Sequence, residues 1–158
     1  MRLALVDLRL LAPNDWELWR EIRLRALADA PEAFGSTKSD WVDADQRRWQ
    51  QRLSDVPFDV VAFARDVAVG QVSGTIEDRD GCVELISMWV APSGRGSGIA
   101  DALVTAVKNH ARQGGANAVR LSVRRSNTRA IRLYERAGFV PASDPGDEPD
   151  EIAMCCQL

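Results

Sequence analysis

VAPSGRGSGIADAL, residues 90–103, holds the change of backbone direction around which the rest of the chain can be ordered. Upstream of it, CVELISMWV (82–90) is an apolar run of strand type, and Pro92 ends that run. Downstream, Ile99, Leu103, Val104, Val107 and Ala111 recur at three- and four-residue steps. That spacing predicts an amphipathic helix, stopped at Gly114-Gly115. Between strand and helix lie Ser93 to Gly98, a glycine-rich turn whose N–H groups are left unpaired at a helix N-terminus. The helix dipole favours an anion at the same place, and Gly96 and Gly98 carry no side chain to keep a phosphate away. The segment therefore predicts a phosphate-bearing ligand.

Two common phosphate loops fail on the residues. A dinucleotide fingerprint, G-x-G-x-x-G/A, ends on Ile99 if it starts at Gly94 and on Asp101 if it starts at Gly96. A P-loop needs a Gly-Lys pair, and no lysine follows until Lys108.

Working outward, residues 3–10 read as a first strand, and Asn14 or Asp15 as the cap of a helix carrying Trp16, Trp19, Arg23, Leu24 and Leu27. A second helix is expected from about Ser39 to Leu53, with PEAFGSTKS as loop before it. FDVVAFARD and VAVGQVSGTIEDRDG read as two strands joined near Arg65-Asp66, with a turn at Asp80-Gly81. AVRLSV (118–123) is a further strand, Asn127 caps a helix that Gly138 ends, and a last strand covers about 152–157. The order β-α-α-β-β-β-α-β-α-β describes one α/β domain over residues 1–158, with a mixed, mostly antiparallel sheet flanked by helices.

At 158 residues the chain suits a single domain with its own core. Its net charge of −3 excludes bulk polybasic attraction, so neither nucleic acid nor a membrane surface is expected as a partner. No run approaches the length of a membrane span, and no signal peptide is evident at Met1 to Leu11. Cys82, Cys155 and Cys156 suit reduced thiols in a cytoplasmic protein, and no metal-ligand spacing is present.

Arg95-Gly96-Ser97-Gly98-Ile99-Ala100, preceded by Val90-x-Pro92, resembles the pyrophosphate-binding signature Q/R-x-x-G-x-G/A of the GCN5-related N-acetyltransferases, the GNAT superfamily. SVRRSNTRAIRLYERAGF (122–139) resembles the second signature of that family, with Asn127, Ala130, Leu133, Tyr134, Gly138 and Phe139 in register. Independently of that likeness, seven helical residues turn through about 700°, which places Asn127 and Tyr134 on one face of their helix.

The resemblance implies the GNAT fold and transfer of an acetyl group from acetyl-CoA to a primary amine. It assigns coenzyme A to Met88, Trp89, Val90, Arg95, Gly96, Ser97, Gly98, Ile99, Ala100 and Asn127. Within that set, the Val90 N–H polarises the acetyl carbonyl and Asn127 contacts the pantetheine arm or the nearby protein frame. Tyr134, the sole tyrosine, protonates the departing thiolate. Ribosomal-protein N-terminal acetyltransferases of the superfamily carry a glutamate where this chain has Ser122, which cannot act as a base. The base is expected to be Glu84, working through water.

The acceptor is expected to be a small-molecule amine, with a protein lysine or N-terminus as the alternative. A non-catalytic acyl-CoA-binding regulator is the rival from another class, and a homodimer is compatible with the family. His110 is read as a surface cation near a helix C-terminus, and Arg129 or Arg132 as candidates to meet a cofactor phosphate. Trp16, Trp19, Trp41 and Trp49 are read as core residues. The acidic loop of Asp144, Asp147, Glu148, Asp150 and Glu151 favours a cationic acceptor, whereas Arg23 and Arg25 favour an anionic one.

Overall fold

The computed structural model describes residues 6–34, 37–142 and 148–158. Strands β2 (Phe58–Ala64) and β3 (Val67–Gly74) meet at Arg65-Asp66, both in the left-handed region at φ 51° and 65°. Two such residues form the tight turn whose twist matches a right-handed hairpin. β4 (Cys82–Val90) continues antiparallel to β3 after a turn in which Gly81 takes φ 75°. The expected first strand is β1 (Val6–Leu10), which pairs along the other edge of β2, and residues 3–5 of the anticipated strand lie outside the described residues.

Helix α4 (Ile99–Gln113) returns the chain to the start of β4, so β5 (Ala118–Arg124) lies parallel to β4. β7 (Glu151–Gln157) pairs antiparallel with β5 along its whole length. A short β6 (Val140–Ala142), absent from the sequence reading, completes the edge, and the order is β1-β2-β3-β4-β5-β7-β6. The expected mixed, mostly antiparallel sheet flanked by helices is the one observed.

The two faces of the sheet are dressed differently. A Cβ on Gly70 of β3 would lie 3.0 Å from Leu103 Cδ1 and 3.2 Å from Ile99 Cγ2, so α4 packs directly onto backbone there. On the opposite face, α1 (Trp16–Asp29) and α3 (Gln46–Asp55) bury Trp19, Ile22, Trp49 and Leu53. Trp19 and Trp49 are fully enclosed, as a core reading of the tryptophans requires, and Trp41 packs 4.8 Å from Trp49.

Three expectations need correction. The helix anticipated over 39–53 is two helices, α2 (Lys38–Trp41) and α3, because the Asp45 carboxylate accepts the Arg48 N–H at 2.9 Å and starts a new helix. Neither Asn14 nor Asp15 caps α1 through its side chain; Asp15 Oδ2 instead accepts the Ala12 N–H at 2.8 Å across a short 3₁₀ turn. His110 is no surface cation, for it stacks on Phe58 at 3.9 Å and burial lowers its pKa from the usual value, which keeps it neutral at pH 7.

Gly70→Val tests the close approach of α4 to β3. The added side chain overpacks Leu103 and Ile99, and stability is expected to fall by about 1–3 kcal/mol. The urea midpoint reports it; an unchanged midpoint would mean that the contact is loose.

Candidate active site

The site begins where a sheet fails to close. β4 and β5 pair only at Cys82–Ala118, Val83–Val119 and Glu84–Arg120. Beyond that rung, residues 85–90 of β4 and 121–124 of β5 face each other across a cleft of about 690 Å³. A bulge in β4 accompanies the parting. Gln71 of β3 lies opposite Trp89 and Ser73 opposite Ile86, so Ser87 and Met88 share one partner position, and Ser87 takes φ 57°.

The ladder also sets which amides point into the gap. Ala91 N–H donates to Val69 C=O at 2.8 Å, which makes that rung a hydrogen-bonded pair. Antiparallel rungs alternate, so Val90, opposite Gly70, turns its N–H and C=O away from β3. Its C=O accepts from Arg95 Nε at 3.0 Å, as that orientation demands. The Val90 N–H is therefore aimed at the side where β5 has moved off.

Above it sits the glycine turn. Gly96 and Gly98 adopt φ 80° and 85°, and a Cβ built on either would meet nothing within 4 Å. Their need for glycine is thus conformational, and the space above them is open. The amides from Gly96 to Asp101 precede the first i to i−4 bond of α4, from Ala102 N–H to Gly98 C=O at 3.1 Å. They form an anion-ready N-terminus. The Arg95 side chain does not join it. Besides Val90, it pairs with Asp29 Oδ2 at 2.7 Å, and the Trp89 indole N–H donates to the same oxygen at 2.9 Å. The Trp89 hydrogen bond and the Arg95 pairing hold the Asp29 carboxyl below its ordinary pKa. That oxygen ties the end of α1 to both β4 and the turn.

The far wall is α5 (Thr128–Arg136). Asn127 Oδ1 accepts the Ala130 N–H at 3.2 Å, so the residue caps α5 while lining the cleft. Tyr134 also lines the cleft, 6% exposed, with Phe139 edge-on at 5.8 Å. Burial pushes its phenol above the ordinary value, which keeps the proton on oxygen at any neutral pH.

Of the residues singled out from sequence, Met88, Trp89, Val90, Arg95, Gly96, Gly98, Ala100, Asn127 and Tyr134 line this one cleft. Three do not. Ile99 turns its side chain into the core, and the Ser97 hydroxyl bonds back to Gly94 C=O. Glu84 sits half-buried on the last β4–β5 rung, just below the parting. Arg129 lines the cleft and Arg132 does not. In the acidic loop, Asp144 and Asp147 lie outside the described residues, and Asp150 pairs with Arg124. Sequence reasoning missed Ala30, Ala33, Phe34 and Ser87 among the lining residues, and Asp29, which holds Arg95. Asp29 and Arg95 meet across 66 positions of sequence, and no local signal foretells such a pairing.

The acetyltransferase (GNAT) family model matches residues 16–139. Mycothiol acetyltransferases from Thermobispora bispora and Salinispora tropica are 36% and 35% identical over 85% of the chain. The chain spans 46% and 44% of those two proteins, less than half their length. Among solved structures, a GNAT-family acetyltransferase from Streptococcus pneumoniae superposes with a TM-score of 0.82 at 17% identity, covering 98% of this chain and all of that one. YncA from Salmonella typhimurium, solved with acetyl-CoA, gives 0.76 at 21% identity, covering 98% of this chain and 95% of that one.

Asn127→Ala removes the cap of α5 and is expected to cost about 1 kcal/mol of stability. A urea titration reads this directly, and equal midpoints would show that the cap is idle.

Proposed function

The chain belongs to the acetyltransferase (GNAT) family, and on that premise we propose that it moves an acetyl group from acetyl-CoA to the primary amine of a small molecule. One observation carries the reading: Val90, with its N–H turned away from β3, the glycine-turn and helix-start residues Gly96, Gly98, Ala100 and Asp101, and Tyr134 all line a single cleft. The open space over Gly96 and Gly98 fits a diphosphate, and the gap between β4 and β5 fits a slender arm that replaces the missing strand partner. Acetyl-CoA bound there supplies the activated acyl group.

The residues then divide the work. The amides at the start of α4 hold the diphosphate, with Arg129 near enough to the cleft to neutralise further phosphate charge. The fixed position brings donor and acceptor together and removes much of the entropic barrier. The Val90 N–H stabilises the negative charge that grows on the acetyl oxygen as the amine attacks. Tyr134 O–H gives its proton to the sulfur as the carbon–sulfur bond breaks, a role that its protonated state suits. Glu84, on the rung below the parting, takes the amine proton by way of water.

A small acceptor agrees with a cleft of about 690 Å³ whose lining includes Ala30, Ala33 and Phe34. It also agrees with relatives named mycothiol acetyltransferase. Among the described residues no helix is long and apolar enough to cross a membrane. The three cysteines are free, which suits a cytoplasmic setting.

The direct test is thiol release from acetyl-CoA by purified protein over a panel of amines. Release that depends on the amine is expected. Calorimetric binding of acetyl-CoA with no amine-dependent release would favour a regulatory binding module instead.

Tyr134→Phe is expected to lower kcat by about 100-fold or more while acetyl-CoA affinity changes little. Because the Tyr134 pKa is raised, the donor stays protonated as pH rises. The wild-type rate should therefore show no alkaline loss from this group below about pH 10. An unchanged kcat in the variant would remove Tyr134 from the reaction.

A further inference from the structure

Two residues of the cleft lining, Phe34 and Ser87, back onto polar side chains that acetyl transfer leaves unused. They belong to the face of the sheet covered by α1 and α3. Most are accounted for around Arg52. Its Nη1 pairs with Asp59 Oδ1 at 3.1 Å, and its Nη2 reaches Ser73 Oγ at 3.2 Å and Ser87 Oγ at 3.4 Å. Asp59 Oδ1 also accepts from the Ser73 hydroxyl at 2.6 Å.

Arg23 is not accounted for. Its guanidinium lies 4.5 Å from the centroid of the Phe34 ring, the same ring that lines the cleft. Its Nη1 is shut off from solvent and has no acceptor among the described residues. Nearby on β3, Gln71 is fully buried with neither side-chain atom bonded. Burial and the neighbouring Arg52 pull the Arg23 pKa down to about 10, so it remains a cation at neutral pH. Asp59, whose own pKa is raised by burial, is the partner of Arg52, and no ion pair joins Arg23 to a carboxylate among the described residues. Arg23 is therefore left as one positive charge without a paired carboxylate there.

A buried, unpaired cation destabilises a free protein, and such costs persist where function needs the group. A planar guanidinium with an unpaired N–H beneath the Phe34 ring matches a planar carboxylate, and a single excess positive charge matches a monoanion better than a phosphate dianion. The opposing signal, the acidic loop, is weakened because Asp150 is already paired with Arg124. The charged residues lining the cleft are likewise four arginines against Asp101.

We propose that Arg23 is a specificity-determining residue that recognises a carboxylate on the amine acceptor, so that this protein acetylates amino acids or other amino carboxylates in preference to polyamines. This rests on the acetyltransferase reading above. Phe34 stacks on the guanidinium and offers the acceptor an apolar wall beside the anion.

The experiment compares kcat/KM for a panel of amino acids, each beside its carboxamide. The acid is expected to be preferred by about 10- to 100-fold for the best acceptor, the range of a charge-assisted hydrogen bond. Arg23→Gln should bring that ratio toward one with acetyl-CoA affinity unmoved, and Arg23→Lys should restore part of it. A structural arginine would instead lower the melting temperature when replaced; relief of an unpaired cation should leave it equal or higher. Should Arg23→Gln fail to fold, the Arg23 Nε–Hε resonance of the wild-type protein, followed while the N-acetyl product is added, gives the same answer. A shift with the acid and none with the amide supports the assignment. Equal use of acid and amide, or a ratio that survives Arg23→Gln, overturns it while leaving amine-dependent transfer intact. Loss of all amine-dependent release would instead bring down the transferase reading, and this inference with it.

Discussion

Backbone hydrogen bonding that stops short organises this molecule. Strands β4 and β5 share three rungs and then part, and polar main-chain groups inside a sheet cannot be left without partners cheaply. The parting is tolerated because the bulge at Ser87 and Met88 re-aims β4 and because the gap stays open to a cleft. A ligand that runs between the strands can take the place of the missing edge. The outward-facing amide of Val90 arises from this geometry, since its neighbour Ala91 is bonded to Val69 and the alternation of the ladder turns Val90 away from β3.

Two supports keep the opening in shape. On one side Asp29 accepts from both Trp89 and Arg95, which joins the end of α1 to the strand and to the glycine turn. On the other, Arg52 links Asp59 and Ser73 to Ser87 at the bulge. Both are polar tethers applied to a strand that has lost its partner. The second lies in the core, where such groups are costly unless satisfied, and Arg23 and Gln71 beside it are not. That unpaired charge lies against Phe34, which lines the cleft.

Much of the site could be read from the chain because it is built of local motifs. The turn at Gly96 and Gly98 needs left-handed backbone, which only glycine takes without strain, and the cap at Asn127 needs an oxygen three residues before the bonded amide. Helical periodicity places Tyr134 on the same face as Asn127, and the resemblance to the family signature singles it out. Misreadings occurred where a local signal competed with another. Asp45 interrupted what looked like one helix over 39–53, and Phe58 covered His110 and removed its charge. Ser97 and Ile99 belong to the motif, yet their side chains face Gly94 and the core.

By itself, then, the order of residues determined the α/β domain, the anion-ready helix start and the pairing of an asparagine with a tyrosine on one helix face. Those features depend on dihedral preference and on spacing within one or two turns, both of which a linear string records. Tertiary structure alone decided that β4 and β5 separate, that Phe34 and Ser87 line the cleft, and that Asp29 reaches Arg95. It also left Arg23 buried without a counter-ion. These outcomes depend on which distant side chains share a low-dielectric space and on what remains unsatisfied there, a balance that exists only once the chain has packed.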